Sequence, residues 1–122
     1  MLSLNRVELI GHLGSAPKTT RTNTGRPVAN LRLCTNKTWK DDEGKRQERE
    51  VWHQLTVWAP GLIERVLPHL GTGSYIRVVG ELNYQTFEKD GQEHKAAEII
   101  VREIGFLEPR ATSEAEDAGA VD

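Results

Sequence analysis

Trp39, Trp52 and Trp58 are the three tryptophans of this 122-residue chain, and all lie in the stretch TWKDDEGKRQEREVWHQLTVW, residues 38–58. Trp52, Gln54, Thr56 and Trp58 share one parity of an alternating run; Val51, His53, Leu55 and Val57 share the other. Period two marks a strand with two differently used faces. The aliphatic parity suits a core. The other spaces two large rings with Gln and Thr, which a core does not require. Flat rings set among polar residues suit a platform for stacking planar groups, and every nucleobase presents such a face. The competing use of these indoles is to fill a small β core or a subunit interface.

Binding a single nucleic-acid strand without regard to sequence takes aromatic faces for the bases and cations for the phosphates. Trp39, Trp52, Trp58 and Phe87 are the stacking candidates, two at loop bases and two on a sheet face, together marking one track. Each stacked base contributes about 1–3 kcal/mol, so a few such contacts hold a strand. The phosphate candidates are Arg6, Lys18, Arg21, Arg26, Arg32, Lys37, Lys40, Arg49, Lys89 and Lys95. Taken singly, each is an ordinary solvated surface residue. Arg77 shares the outer parity of Tyr75, so both are candidates for contact with a partner subunit. His53 has the parity of the core yet is polar, which fits a hydrogen-bonded core histidine or a subunit interface.

Nothing in the chain points to catalysis. His12, His53, His69 and His94 are far apart and lack short metal-ligand spacings. There is no phosphate-binding loop and no dinucleotide fingerprint. No cofactor and no metal are expected. Cys34, the single cysteine, allows neither an internal disulfide nor a cysteine-based metal site, which fits a reducing cytosol.

The elements that would position these residues are short. LNRVELIGHL (4–13) reads as a strand, with a bend at Gly11 and Gly14. SAPKTTRTNTGRP follows as a loop or hairpin. VANLRLCT (28–35) is a second strand with Ala29, Leu31 and Leu33 inward and Arg32 outward. The third runs from about Glu48 to Trp58. Leu62, Ile63, Val66, Leu67 and Leu70 fit a short amphipathic helix, started by Pro60 and made irregular at its end by Pro68. YIRVVGEL (75–82) is a strand with a kink at Gly80, and 83–87 and 94–104 pair across the turn Lys89-Asp90-Gly91. The expected fold is all-β: a five-stranded Greek-key barrel of the OB type, with one short helix between strands 3 and 4.

The charge is divided. Residues 1–107 hold fifteen Lys and Arg against thirteen Asp and Glu, net +2, while residues 108–122 hold one Arg against five acids, net −4. The body, 1–107, is expected to be one domain, and 108–122 a short acidic disordered tail without a periodic apolar face. The start, MLSLNRVELIG, is too short and too charged for a signal peptide. No apolar run approaches the ~20 residues needed to span a membrane.

Several segments resemble the bacterial single-stranded DNA-binding protein family: NRVELIGHLG, TGRPVANLRL, TWKDDEG, the E-x-W-H run ending in VW, and GSYIRVVGEL. The resemblance covers about Leu4 to Phe106, and its weight lies in the ordered set and the spacing of Trp39 and Trp52. It implies an OB fold, a homotetramer, and binding of single-stranded DNA without sequence preference in replication, recombination and repair, in the cytoplasm at the nucleoid. It also implies that Trp39 and Trp52 stand at stacking positions. Trp58 stands where phenylalanine is common. Phe87 stands where tryptophan is frequent, and its smaller ring implies weaker stacking. His53 matches a position linked to tetramer assembly. The family's tail commonly closes with an acidic Pro-Phe tip that docks replication and repair proteins. Here the sequence closes with Ala120-Val121-Asp122, so the resemblance does not extend to those partners. An acidic tail can still compete with DNA for a basic face, and removing residues 109–122 is expected to tighten binding at low salt; unchanged affinity would refute this.

Two other uses of the same fold compete. An accessory primosomal protein of replication restart would be a dimer with fewer stacking rings. An OB domain used only for protein–protein interaction would bury its tryptophans against protein, and single strands would not quench them. RNA binding is compatible with the same platform, because stacking does not read the sugar.

Overall fold

A computed structural model describes residues 1–107, and the expected acidic tail at 108–122 lies outside the described residues. Six strands run in the order β1 (Val7–Leu13), β2 (Lys18–Arg21), β3 (Pro27–Lys40), β4 (Arg46–Val57), β5 (Tyr75–Lys89) and β6 (Gln92–Phe106). Helix α1 (Pro60–Arg65) and a 3₁₀ turn (Leu67–His69) lie between β4 and β5. The strands form one sheet ordered β1-β5-β6-β4-β3-β2, and β1 also pairs with β3, which closes the barrel. All pairings are antiparallel except β4 with β6, where Leu55 lies beside Ile99 and Thr56 beside Ile100. This is the all-β OB barrel expected, built on five long strands with one short helix.

The helix position is corrected by one strand. Lys18–Arg21 pairs with Pro27–Asn30 as a hairpin, so the helix follows the fourth strand rather than the third. KTTR is short, exposed at all four residues and without an apolar alternation, so its sequence resembles a loop. β3 also runs five residues past the expected end at Thr35, and 75–82 and 83–87 are one strand.

The core follows the period-two parity. Ala29, Leu31, Leu33, Leu55, Val57, Ile76 and Val78 are buried, with Leu13, Ile99 and Val101. Leu67 and Leu70 join the same cluster, and Leu62, Ile63 and Val66 pack against it. Pro60 occupies the first turn of α1, where a missing N–H costs nothing. Pro68 falls inside the following 3₁₀ turn, which accounts for the change of helix type there. Gly80 is the kink expected. The β5–β6 register shifts between Val79 and Gly80, and a Cβ at Gly80 would lie 2.2 Å from the Ile100 carbonyl oxygen.

Two long ribbons leave the barrel. In β3–β4, no residue from 34 to 54 is buried; in β5–β6, none from 82 to 97 is. No helix of the described residues is long and apolar enough to cross a membrane.

Candidate nucleic-acid interface

Register assigns each side chain to a face. Opposite residues in an antiparallel pair point the same way. Arg32 opposes Gln54, Cys34 opposes Trp52, and Asn30 opposes Thr56, all on the face away from the core. The parallel pair Thr56–Ile100 carries that face onto β6, where His94 opposes Phe87. Trp52 and Phe87 therefore share the outer face, and Trp58 follows the end of β4 in the same sequence parity. Trp39 does not. It has the parity of Leu31 and Leu33, opposes Gln47, and lies on the core-side face where the ribbon has left the core behind. The four rings are not one straight track.

Trp52 is 43% exposed and has a guanidinium above it, with Arg32 Cζ 4.9 Å from the ring centroid. Arg26 covers Trp58 in the same way at 4.5 Å. Cation–π contact of this kind is attractive and keeps a cation beside each stacking surface. Cys34, beside Trp52 on the ladder, is a half-buried thiol that desolvation and then the nearby Glu50 carboxylate push up from its ordinary pKa. It remains a neutral thiol at physiological pH.

Trp39, 42% exposed, lines an open concavity with Lys37 and Arg49. The turn beyond it is held by Asp41, whose Oδ1 accepts from the backbone N–H of Glu43 at 2.9 Å and of Lys45 at 2.8 Å. Gln47 Nε2 donates to Oδ2 at 3.1 Å. The Lys45 N–H is the main reason that the Asp41 carboxyl titrates below its ordinary value. Phe87, 45% exposed, stacks on His94 with centroids 5.6 Å apart.

The remaining cations divide by their partners. Lys37 opposes Arg49, and Lys40 opposes Arg46, on the β3–β4 ribbon. Lys89 and Lys95 lie on the β5–β6 hairpin. Lys18 and Arg21 lie on β2, where Arg21 Nη1 donates to the Gly25 carbonyl at 2.7 Å. Arg6 lies 3.9 Å from Glu8. The same Glu8 accepts from Arg77, which also approaches Glu103 at 3.9 Å. Tyr75 stacks on His12 with centroids 4.6 Å apart. Arg77 and Tyr75 thus belong to one outer face of β1, β5 and β6. His53 shares a 2.9 Å hydrogen bond with Thr35, and burial holds its pKa below the ordinary value.

Two contributors were not legible as site residues. A Cβ on Gly14 would lie 2.5 Å from Trp52 Cζ3 and 2.8 Å from Cη2, so the indole occupies the space that Gly14 leaves. The sequence marks Gly14 as a bend, and nothing in it names the tryptophan it accommodates. The second is Glu98, only 5% exposed. Thr56 Oγ1 donates to its Oε1, and Asn83 Nδ2 to its Oε2 at 2.9 Å. This carboxylate joins β4 to the β5–β6 hairpin where the ribbons part, beside a groove that Trp52, Gln54, Leu82 and Ala97 also line. A lone acid in the apolar run AAEIIV was the available signal. Thr56 is buried by this contact and is not an exposed spacer between rings.

No group of three or more His, Cys, Asp or Glu among the described residues could hold a metal ion.

The profile of the single-strand binding protein family matches residues 4–107. A single-stranded DNA-binding protein of Rhizobium meliloti is 34% identical over 102 residues, covering 82% of this chain and 59% of the relative. Single-stranded DNA-binding protein 1 of Xylella fastidiosa is 37% identical over 109 residues, 88% of this chain and 79% of the relative. The chain thus spans less than two thirds of the Rhizobium relative and most of the Xylella one. Among solved structures, the Plasmodium falciparum SSB complex with ssDNA superposes with a TM-score of 0.80 at 28% identity, over 88% of this chain and 98% of that one. A deletion mutant of the single-stranded DNA binding protein from Thermus aquaticus gives 0.75 at 30% identity, over 88% and 52%. With its barrel, its ribbons and nearly all its described residues accounted for, the chain belongs to the single-strand binding protein family.

Proposed function

We propose that this chain binds single-stranded DNA without sequence preference, protecting and wrapping it during replication, recombination and repair. The observation that carries this reading is the outer face of β4. It presents Trp52 away from the core, and Trp58 follows directly on the strand; each has an arginine over its ring. Such a face offers base stacking and phosphate neutralisation at the same place. Trp39 with Lys37 and Arg49 repeats the combination on the other face of the ribbon. Phe87 extends the outer face onto the hairpin, and Lys18, Arg21, Lys40, Lys89 and Lys95 supply further phosphate contacts. A strand that meets both faces must pass around a ribbon, which is the elementary step of wrapping. The working unit is a homotetramer assembled through His53 and the Tyr75–Arg77 face, in the cytoplasm at the nucleoid.

The test is titration of tryptophan fluorescence with a long thymidine oligonucleotide at several salt concentrations, beside a duplex of equal length. Strong quenching by the single strand, weak response to the duplex and affinity that falls with salt are expected. Absence of quenching by any nucleic acid would overturn the reading in favour of a protein partner. Light scattering on the same sample gives the mass; a monomer would overturn the assembly.

A further inference from the structure

Tyr84 is 62% exposed, more than Trp39, Trp52 or Phe87. It opposes Ala97 on the β5–β6 hairpin, and Leu82 opposes Ile99 on the same face. Ile99 is buried in the core, so this is the core-side face, continued past the barrel. Phe87 has the other parity. Lys95 opposes Thr86 and is the diagonal neighbour of Tyr84 on that face, within reach of a long side chain. The β3–β4 ribbon has the same composition on its own core-side face, with Trp39 flanked by Lys37 and Arg49. Its acids Glu48 and Glu50 oppose Thr38 and Asn36, on the outer face. The two ribbons are joined into one sheet by the Leu55–Ile99 pair, so Trp39 and Tyr84 lie on the same side of it.

A Tyr this exposed is outside the core cluster that holds the barrel together. An exposed ring beside a cation is what a strand of nucleotides needs. We propose that Tyr84 is a further base-stacking residue, with Lys95 as its phosphate contact, forming with Trp39 a core-side subsite for single-stranded DNA distinct from the outer face of Trp52 and Phe87. This rests on the function proposed above and adds to it a second stacking face. Glu88 and Glu93 lie on this face nearer the hairpin tip, which limits the subsite to the stretch between Leu82 and Lys95.

The experiment uses the full chain and a fluorescently labelled thymidine oligonucleotide, followed by anisotropy. Tyr84→Ala is expected to weaken binding about 5- to 150-fold, the span that corresponds to the loss of one stacked base. Tyr84→Phe, which keeps the ring and loses the hydroxyl, is expected to bind as wild type. Lys95→Gln is expected to lower the slope of log affinity against log salt by about 0.7, one phosphate contact on a single strand. Ultraviolet cross-linking of the unmodified chain to the same oligonucleotide, read by mass spectrometry, is expected to label the peptide that contains Tyr84. Wild-type affinity in Tyr84→Ala, with no cross-link at Tyr84, overturns the inference while leaving the function intact. A changed mass in Tyr84→Ala with unchanged affinity also overturns it, because the ring then packs against another copy of the chain. Failure of the wild-type chain to bind overturns the function and the inference together.

Discussion

Replacing Gly14 by alanine tests whether the position of Trp52, and not only its presence, makes the platform. The new methyl would sit 2.5 Å from Cζ3 and 2.8 Å from Cη2 of the indole. Carbon atoms rest comfortably at about 3.5–4.0 Å, so the ring must retreat by roughly 1 Å or more. The backbone cannot easily absorb this, because the Gly14 N–H is held by the Arg32 carbonyl at 3.0 Å. Arg32 is also the residue whose guanidinium covers Trp52, so the shift disturbs both parts of the site. The barrel should be little affected, since Trp52 is not a core residue. Loss of one stacked base corresponds to about 1–3 kcal/mol, and Gly14→Ala is expected to lose up to that amount of affinity for single-stranded DNA. Gly61 provides the control. It lies in α1 with open space where a Cβ would point. Gly61→Ala should raise stability by about 0.4–1 kcal/mol in chemical denaturation and leave binding unchanged. Wild-type affinity and an unchanged tryptophan emission spectrum in Gly14→Ala would refute the reasoning.

Other outcomes follow from the same geometry. Trp52→Ala and Trp58→Ala should each weaken single-strand binding by about 1–3 kcal/mol in a fluorescence titration, with circular dichroism unchanged. Glu98→Ala leaves the buried Thr56 hydroxyl without its acceptor, which costs about 1–3 kcal/mol in chemical denaturation, while the exposed Asn83 amide turns to water. His53 has a folded pKa below its ordinary value of 6.5 because burial disfavours the imidazolium. The unfolded chain therefore takes up the proton first as pH falls. Stability should be intact above about pH 6.5 and decline below it, down to the folded pKa. His53→Gln should flatten that part of the stability–pH profile, and an unchanged slope would refute the assignment.

The barrel was legible because its inner face is written in period two. Ala29, Leu31 and Leu33, then Leu55 and Val57, are buried as their spacing requires. Pro60 and Pro68 announced the start of the helix and its irregular end. The short strand Lys18–Arg21 reads in the sequence as loop or hairpin for the opposite reason. An edge strand with four exposed residues buries nothing, so no alternation is selected in it. The ends of β3 and β4 were obscure for the same reason, since NKTWK and RQERE form a ladder without a core beneath it. The candidate rings could be named from their types. Their division between two faces could not, because Trp39 and Trp52 lie on different strands and only the β3–β4 register relates their parities. The partnership of Gly14 with Trp52 and of Glu98 with Thr56 and Asn83 spans long sequence separations, which a single sequence does not display.

The two ribbons have a consequence for hydrogen exchange. Their backbone ladders extend from the barrel with no buried side chain anchoring residues 34–54 or 82–97. Local opening there exposes almost no apolar surface, so it proceeds at low cost while the barrel stays closed. Amide protons of the ribbons should exchange many times faster than those of Leu31, Leu55 or Val78. A ligand that lies along the ribbons closes them without altering the barrel. Its footprint is therefore visible as slowed exchange confined to the ribbon amides, one face of contact at a time, as the oligonucleotide is lengthened.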